Sequence, residues 1–472
     1  MATIAAPGKA QWSSRFAFIM AAVGSSVGLG NLWRFSSEAG TNGGGAFILI
    51  YLLAVLFVCI PVLMSEYMVG RSGNVANAVG SVDDVAQRSG RSRNWRGAGW
   101  VGMLAGFFIV TFYCVIAGWV LRYIFFFLSN GFAGMAPDDV AARFIEFISN
   151  PVAVLPWFLA FALITIWLVS RGVNQGIEWA AKMLMPAFFV LLACLAAFAL
   201  ITNLSDGGTA AALNFLYVPD WNEMMTKNPD ISAVSNVGSV ANAALGQAFF
   251  SVSVGSAIMI TYGSYIPNDV SLPKAAATVA IMDSLVALIA GLAIFPIVFG
   301  SGLSESAGPA LLFITLPNAF EAMGVIGPIV GAAFFFLAFF AAITSSVSLL
   351  EPSAAYASEK FNMSKSKAAW LVGVLMIVIG LISVFGVGDG GATPALDAID
   401  GFTGKVMLPL AGFLIVLFVG WRMDSRIVHE QIKGEGEKLG KLIFFLCRWV
   451  APIFVGAVMV TSIMAYVRGL IG

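Results

Sequence analysis

Apolar residues along this chain come in blocks of about 20 or more, separated by short polar stretches. A helix of that length crosses the hydrocarbon core of a bilayer, where lipid cannot satisfy the hydrogen bonds of an unfolded backbone. The pattern predicts an all-α polytopic membrane protein with about 11 transmembrane helices. The predicted spans cover residues 14–38, 44–70, 98–128, 152–170, 177–202, 240–266, 274–301, 327–358, 367–387, 398–421 and 441–468.

Two of these spans are interrupted by residues that do not suit a helix in lipid. The first contains "AAVGSSVGLGN" at 21–31, and the sixth contains "FFSVSVGSAIMITYG" at 249–263. A glycine in a helix interior costs about 1 kcal/mol relative to alanine. Unwound backbone at bilayer depth persists only where something satisfies it, so paired interruptions point to a transporter's binding site. Close helix packing through Gly24 and Gly28 is the alternative.

The two interruptions lie five spans apart, so the second unit starts from the opposite side of the membrane. This spacing predicts a 5+5 inverted repeat. The predicted segments are an N-terminal segment 1–13, a first repeat 14–202, an extracellular loop 203–239, a second repeat 240–421, a cytoplasmic loop 422–440 and an accessory eleventh helix 441–472. Residues 310–323 are apolar but too short to span, which favours a helix over the outer surface.

Composition and charge narrow the functional classes. Hydrophobic residues make up 59% of the chain, charged residues 11%, and the formal net charge is zero, so nothing suggests nucleic-acid binding. The cysteines are scattered and His429 lies in a charged loop, so the sequence predicts neither an enzyme's nucleophile nor its metal cluster. Lysine and arginine concentrate before the first span and after the second, eighth and tenth, which predicts a cytoplasmic N-terminus.

Several motifs resemble those of one transporter family. The segments "GSSVGLGNLWRF", "TNGGGAF" and "PVLMSEYMVGR" in the first two spans are similar to the opening of the neurotransmitter:sodium symporters, and "GQAFFSVSVGSAIMITYGSY" and "AAITSSVSLLEP" are similar to their sixth and eighth spans. The resemblance covers residues 10–420 and is greatest to bacterial amino-acid transporters. It implies sodium-coupled import of an amino acid across the bacterial cytoplasmic (plasma) membrane by alternating access, with helices 1 and 6 unwound.

The resemblance also implies two Na⁺ sites built from hard oxygen ligands. The first comprises the carbonyl of Ser26 with the side chains of Asn31, Ser251 and Asp283, completed by the substrate carboxylate. The second comprises the carbonyls of Gly24, Val27 and Ala341 and the hydroxyls of Thr344 and Ser345. Two alternatives are open: Asp283 is a structural partner of Asn31, or the hydroxyls bond back to their own helix.

The implied substrate site lies between the two interruptions. Its residues are Ser25, Ser26, Gly28, Leu29, Gly30, Ile109, Tyr113, Phe250, Ser251, Ser253, Ser256, Ser345 and Leu349. Monoamine carriers of the family have an aspartate where this chain has Gly28, so the resemblance favours an α-amino acid. Ser256 replaces a bulky residue, which favours a large apolar or aromatic side chain. A polar side chain bonded to that serine, or a gap filled by a neighbour, is the alternative, as is a purely structural Tyr113.

Asp283 is a lone carboxylate in an apolar helix, which makes it a functional candidate. Chloride-dependent members of the family hold an anion near this point with a serine where this chain has Ala287. We therefore expect Asp283 to supply the fixed negative charge, so that no chloride is needed. Protonation of Asp283 on the return step would add proton antiport.

Gates are implied on both sides of the site. The resemblance pairs Arg34 with Asp400 on the outside and Lys9 with Glu359 on the inside, although Lys9 is equally an interfacial anchor. The candidate hydrophobic plugs, which are also explained by packing, are Trp12, Phe250 and Phe402. Glu66 is expected to bond the unwound backbone.

Two other functions remain open from the residues alone. A proton-coupled amino-acid permease of similar architecture needs neither Asn31 nor the hydroxyl pair at 344–345, and an amino-acid receptor would bind without transport. Beyond the amino acid and Na⁺, the sequence suggests membrane lipid as a partner, and a monomer or weak homodimer.

Overall fold

The computed structural model describes residues 11–226, 228, 232–267, 269–302, 311–433 and 437–471. In that part of the chain, nine helices are long and apolar enough to cross a membrane, and a helix pair bent by 54° makes a tenth span. The helices, with both halves of each interrupted one, are α1 (Arg15–Ser26), α2 (Gly30–Thr41), α3 (Gly45–Ser72), α4 (Arg93–Leu128), α5 (Pro151–Ser170), α6 (Val173–Thr202), α7 (Ala233–Ser251), α8 (Ile258–Gly263), α9 (Leu272–Gly300), α10 (Gly324–Lys360), α11 (Lys365–Phe385), α12 (Pro394–Trp421) and α13 (Gly440–Val467).

The second interrupted helix consists of α7 followed by α8. The α7 half packs along Gly45–Ala54 of α3, and the α8 half packs along Ile60–Ser72 of the same helix. Together the two halves therefore run beside one uninterrupted membrane-spanning helix. Spans 1 and 6 are thus the two interrupted ones, as the sequence predicts.

The segment 203–239 contains more helix than the predicted loop. Gly208–Tyr217 and Trp221–Thr226 are helical. The first of them packs against α9 and buries Ala212 and Leu216. The predicted short apolar helix at 310–323 is present as Leu311–Glu321. The remaining helices outside the spans are Ala78–Arg88, Pro137–Ile148 and Ser425–Gln431.

Helices α4 and α10 form the centre of the bundle. α10 packs against α1, α4, α5, α6 and α11. On α4, a Cβ at Gly102 would lie 3.0 Å from the carbonyl oxygen of Gly255, so only glycine lets α4 approach the interruption of α7–α8 this closely. The site therefore lies where α1, α4, α7 and α10 meet.

Candidate functional site

The first interruption falls at residues 27–29, between α1 and α2. Val27 leaves the helical conformation with φ −69° and ψ 109°. The freed N–H of Gly28 donates to Asn31 Oδ1 at 3.0 Å, and that of Leu29 donates to the Tyr113 hydroxyl at 3.3 Å. The interruption thus presents its amides to side chains rather than to a preceding turn.

The second interruption covers residues 252–257, between α7 and α8. The N–H of Gly255 donates to Oε1 of the buried Glu66 at 2.7 Å, which is the backbone support expected of that carboxylate. The two interruptions also bond each other. The Ser26 hydroxyl donates to Val252 O at 3.2 Å, and the Ser253 hydroxyl donates to Ser25 O at 3.0 Å.

A cavity of about 40 Å³ lies between the interruptions, and we call it the substrate cavity. The structure brings every substrate-binding residue named from the sequence to its wall, together with two others. The lining is Ser25, Ser26, Gly28, Leu29, Gly30, Asn31, Ile109, Tyr113, Phe250, Ser251, Ser253, Ser256, Ser345, Leu349 and Leu408. Leu408 was missed, because nothing local distinguishes it from the other leucines of its span.

The missing side chain of Gly28 defines one end of the substrate cavity. A Cβ at this position would lie 2.8 Å from Ser345 Oγ and 3.2 Å from the Tyr113 hydroxyl. An aspartate here would therefore fill the space between those two groups. With glycine, that space stays open beside the freed backbone amides, and it suits a negatively charged group of a ligand.

The other end of the substrate cavity is apolar and contains Ser256. Its hydroxyl donates to Ser253 O at 2.7 Å, so its proton is already engaged with the backbone of the interruption. Ile109, Leu349 and Leu408 complete this end. The arrangement favours an apolar ligand group over one that needs a donor from Ser256.

The three side chains named for the first sodium site, Asn31, Ser251 and Asp283, form one buried cluster. Asn31 Nδ2 donates to Ser251 Oγ at 2.9 Å and to Asp283 Oδ1 at 2.8 Å, and Ser251 Oγ donates to Asp283 Oδ2 at 2.6 Å. Tyr51, which the sequence did not suggest, donates to the same carboxylate at 3.4 Å. These oxygens are hard ligands suited to a small cation, and they also form hydrogen bonds with one another.

The residues named for the second sodium site converge between α1 and α10. Ser345 Oγ lies 3.0 Å from Val27 O and 3.4 Å from Gly24 O, so it crosses to the first interruption. Thr344 Oγ1 instead bonds back to Ala341 O in its own helix, at 3.1 Å. The hydroxyl of Ser345 and the carbonyls of Gly24 and Val27 are thus close together, and none of the five residues named for this site carries a charge.

The outer side of the site opens into a second cavity of about 290 Å³, the vestibule. Arg34 and Asp400 line it. Their charged atoms are more than 4.0 Å apart, so the implied ion pair is not formed. The Arg34 guanidinium instead lies 4.3 Å from the centre of the Phe250 ring. Phe250 separates the vestibule from the substrate cavity. Phe402 lines neither space: it is 44% exposed and contacts Tyr466, which favours the packing alternative for this residue over a plug.

The inner side of the site is closed. Trp12 is buried against Tyr262 and Tyr265, with ring centroids 5.1 and 6.0 Å away, and its indole N–H donates to Tyr262 O at 3.2 Å. Glu359 accepts a hydrogen bond from Asn77 at 2.7 Å. Its expected partner, Lys9, lies outside the described residues.

The inner side also holds a buried ion pair that sequence reasoning missed. Lys365 Nζ lies 2.7 Å from Oε1 of Glu351, which is fully buried and also accepts from the Tyr265 hydroxyl at 2.8 Å. The signal was present, because Glu351 is a carboxylate in an apolar helix, as Asp283 is. The ion pair joins the inner ends of α10 and α11 to the residues that follow α8.

Known proteins show the same overall arrangement. Residues 9–135 and 146–470 match the profile of the sodium:neurotransmitter symporter family. The chain is 34% identical over 458 residues to YhdH, an uncharacterized sodium-dependent transporter of Bacillus subtilis (strain 168), which covers 94% of this chain and 95% of that protein. It is 23% identical over 511 residues to sodium-dependent nutrient amino acid transporter 1 of Drosophila grimshawi, covering 97% of this chain and 77% of that one. The crystal structure of MhsT in complex with L-phenylalanine matches with a TM-score of 0.85 and 40% identity, over 96% of this chain and all of MhsT.

Proposed function

Because the chain belongs to the sodium:neurotransmitter symporter family, we propose that it imports an α-amino acid with a large apolar or aromatic side chain together with Na⁺. The chain is a multi-span membrane transporter of a sodium-dependent family and not an enzyme. The amino acid, the ion count and the direction of transport are the proposed part.

One observation carries the proposal: the substrate cavity has a polar end and an apolar end and no charged side chain in its wall. The polar end holds the open position at Gly28 and freed amides and carbonyls, which suit the carboxylate and ammonium of a zwitterion. The apolar end suits a hydrocarbon side chain, and the complex of MhsT with L-phenylalanine supports the same choice. An amine without a carboxylate would leave the polar end incompletely satisfied.

Two Na⁺ ions are proposed to bind with the amino acid. The cluster around Asp283 carries one negative charge and lies beside the substrate cavity, so its ion and the substrate carboxylate would be mutual ligands. The neutral cluster around Ser345 would hold the second ion between α1 and α10. Each Na⁺ entering down a tenfold gradient and a 100 mV potential supplies about 3.7 kcal/mol. Two ions would then support roughly 10⁵-fold accumulation, and one ion only a few hundredfold.

Chloride is not required in this proposal. Asp283 provides a fixed negative charge, and the buried Ala287 has no group that could hold an anion. Return of the empty transporter with Asp283 protonated would export one H⁺ per cycle and lower the limit of accumulation.

We propose that alternating access closes the outer side of the site and then opens its inner side. Arg34 and Asp400 would pair over Phe250 once substrate is bound, and the contacts of Trp12 with Tyr262 and Tyr265 would then separate. We place the N-terminus in the cytoplasm of a bacterial cell and propose a monomer or weak homodimer.

The test is uptake by the purified protein in proteoliposomes. We expect L-phenylalanine to accumulate under an inward Na⁺ gradient, not under a K⁺ gradient, and to accumulate equally when gluconate replaces chloride. Counterflow that ignores Na⁺ would instead indicate a proton-coupled permease, and binding without counterflow would indicate a receptor. A strict chloride requirement would overturn the role given to Asp283.

A further inference from the structure

We infer that Leu408 sets the upper size limit of the substrate side chain, because it is the partition between the substrate cavity and a larger neighbouring cavity. This rests on the proposed function in one respect, namely that an amino acid occupies the substrate cavity.

The neighbouring cavity, which we call the side cavity, has a volume of about 190 Å³. It lies between α2, α7, α12 and α13, and among the described residues only Phe250 and Leu408 line both it and the substrate cavity. Its wall combines apolar side chains with charged groups from both sides of the outer gate. These groups are Arg34, Glu38, Asp400 and Lys405.

The backbone that carries Leu408 is locked to the second interruption. A Cβ on Gly255 would lie 2.4 Å from the carbonyl oxygen of Leu408. One turn later, a Cβ on Gly412 would lie 2.9 Å from the ring of Phe249 in α7. Because α12 is held at two points by contacts that leave room only for glycine, the backbone at Leu408 is fixed. The shape of the wall can therefore change only through the side chain of Leu408.

A large side chain must press on this wall. The substrate cavity of about 40 Å³ has room for roughly three water molecules, which is less than an aromatic ring requires. Ile109 and Leu349 border the substrate cavity but neither of the larger cavities, and Phe250 is held between Gly30 and the Arg34 guanidinium. At the apolar end of the substrate cavity, Leu408 is therefore the side chain with open space behind it.

Truncating Leu408 would join the two cavities and admit longer side chains. The matched control is Leu350→Ala, which removes the same atoms from a fully buried leucine that lines none of the three cavities. The measurement is competition of L-phenylalanine and L-homophenylalanine, one methylene longer, against uptake of an amino acid that the wild type carries. Because one methylene in a tight pocket changes discrimination about 10- to 200-fold, we expect the wild type to prefer phenylalanine by at least tenfold.

In Leu408→Ala the preference for phenylalanine should fall about tenfold or more, and in Leu350→Ala it should stay within about threefold of wild type. Leu408→Phe should act in the opposite direction and favour shorter substrates, so one variant remains informative if the other does not fold. An unchanged preference in Leu408→Ala, or an equal loss in Leu350→Ala, would overturn the inference. Wild-type uptake that is indifferent to Na⁺ or to every amino acid would instead contradict the proposed function.

Discussion

The two interruptions of the membrane helices face the same cavity but are constructed differently. The first takes three residues, 27–29, and none of them has a positive φ. The second takes six residues, 252–257, and three of them, Ser253, Gly255 and Ala257, have φ values of 57°, 81° and 60°. Two of those three are not glycine, although a left-handed conformation costs such residues roughly 1–2 kcal/mol each.

The partners of the freed backbone differ as well. At the first interruption the carbonyls of Gly24 and Val27 face a neutral hydroxyl, Ser345, at 3.4 and 3.0 Å. At the second, the N–H of Gly255 is bonded to the carboxylate of Glu66 at 2.7 Å. Breaking that buried hydrogen bond would leave the N–H of Gly255 without an acceptor, which is costly. The first interruption is therefore suited to exchanging partners with an ion, and the second to holding a fixed shape.

The largest expected effect is the difference in stability between adding one methyl group to the second interruption and adding one to the first. In Gly255→Ala the new Cβ would lie 2.4 Å from the carbonyl oxygen of Leu408 at a φ of +81°, and neither backbone can move away. We expect a loss of stability above about 3 kcal/mol, seen as aggregation or a strongly lowered unfolding temperature in detergent.

Gly28→Ala is the matched substitution in the first interruption. Its Cβ would meet the rotatable hydroxyl of Ser345 at 2.8 Å, so the protein should remain folded while losing amino-acid uptake. If Gly255→Ala unfolded no more easily than Gly28→Ala, the second interruption would not be the rigid one.

The next effect concerns the support of Gly255 by Glu66. Glu66→Ala leaves a buried N–H without its acceptor, which costs about 1–3 kcal/mol. Glu66→Gln keeps an oxygen in the same place and should recover at least half of that loss in unfolding temperature. Equal stability of the two variants would show that the hydrogen bond is unimportant.

Much of this comparison could be predicted from the sequence, because its signals are local. Glycine, serine and a lone carboxylate are out of place in an apolar helix, so the two interruptions and Asp283 could be located without coordinates, whereas the lining of the substrate cavity was implied by the family resemblance. The same criterion applied to Glu351 would have located the buried ion pair with Lys365.

What the sequence could not provide depends on contacts between distant segments. Leu408 is one apolar residue among many, and only the packing of α12 on Gly255 brings it to the cavity wall. Phe402 has the composition of a plug but lies on another side of α12, against Tyr466. The separation of Arg34 from Asp400 is a property of the conformation, which a pairing of residue types does not specify.

A smaller effect is expected at the first interruption from Ser345→Ala. Losing this hydroxyl removes one proposed Na⁺ ligand, and the Na⁺ concentration for half-maximal uptake should rise about three- to tenfold, or roughly 0.7–1.4 kcal/mol. The unfolding temperature without Na⁺ should change little. Ser346→Ala is the control, because that hydroxyl bonds Ile343 O and approaches Thr165 away from the site, and its Na⁺ dependence should stay within about twofold of wild type. A similar shift in both variants would remove Ser345 from the proposed site.

The smallest effect tests the strain in the second interruption. Ala257→Gly removes roughly 1–2 kcal/mol of strain from a left-handed residue of the folded state. Against this, it loses a buried methyl group worth about 0.8 kcal/mol. The added glycine also raises the entropy of the unfolded chain, which lowers stability by about 0.4–1 kcal/mol more. These terms nearly cancel, so stability should change by less than about 1 kcal/mol. Ala22→Gly, at an equally buried helical position in α1, has no strain to relieve and should lose about 1 kcal/mol or more. Unfolding temperatures of both variants in one detergent decide the matter, and an equal loss would mean that the left-handed residues are not strained.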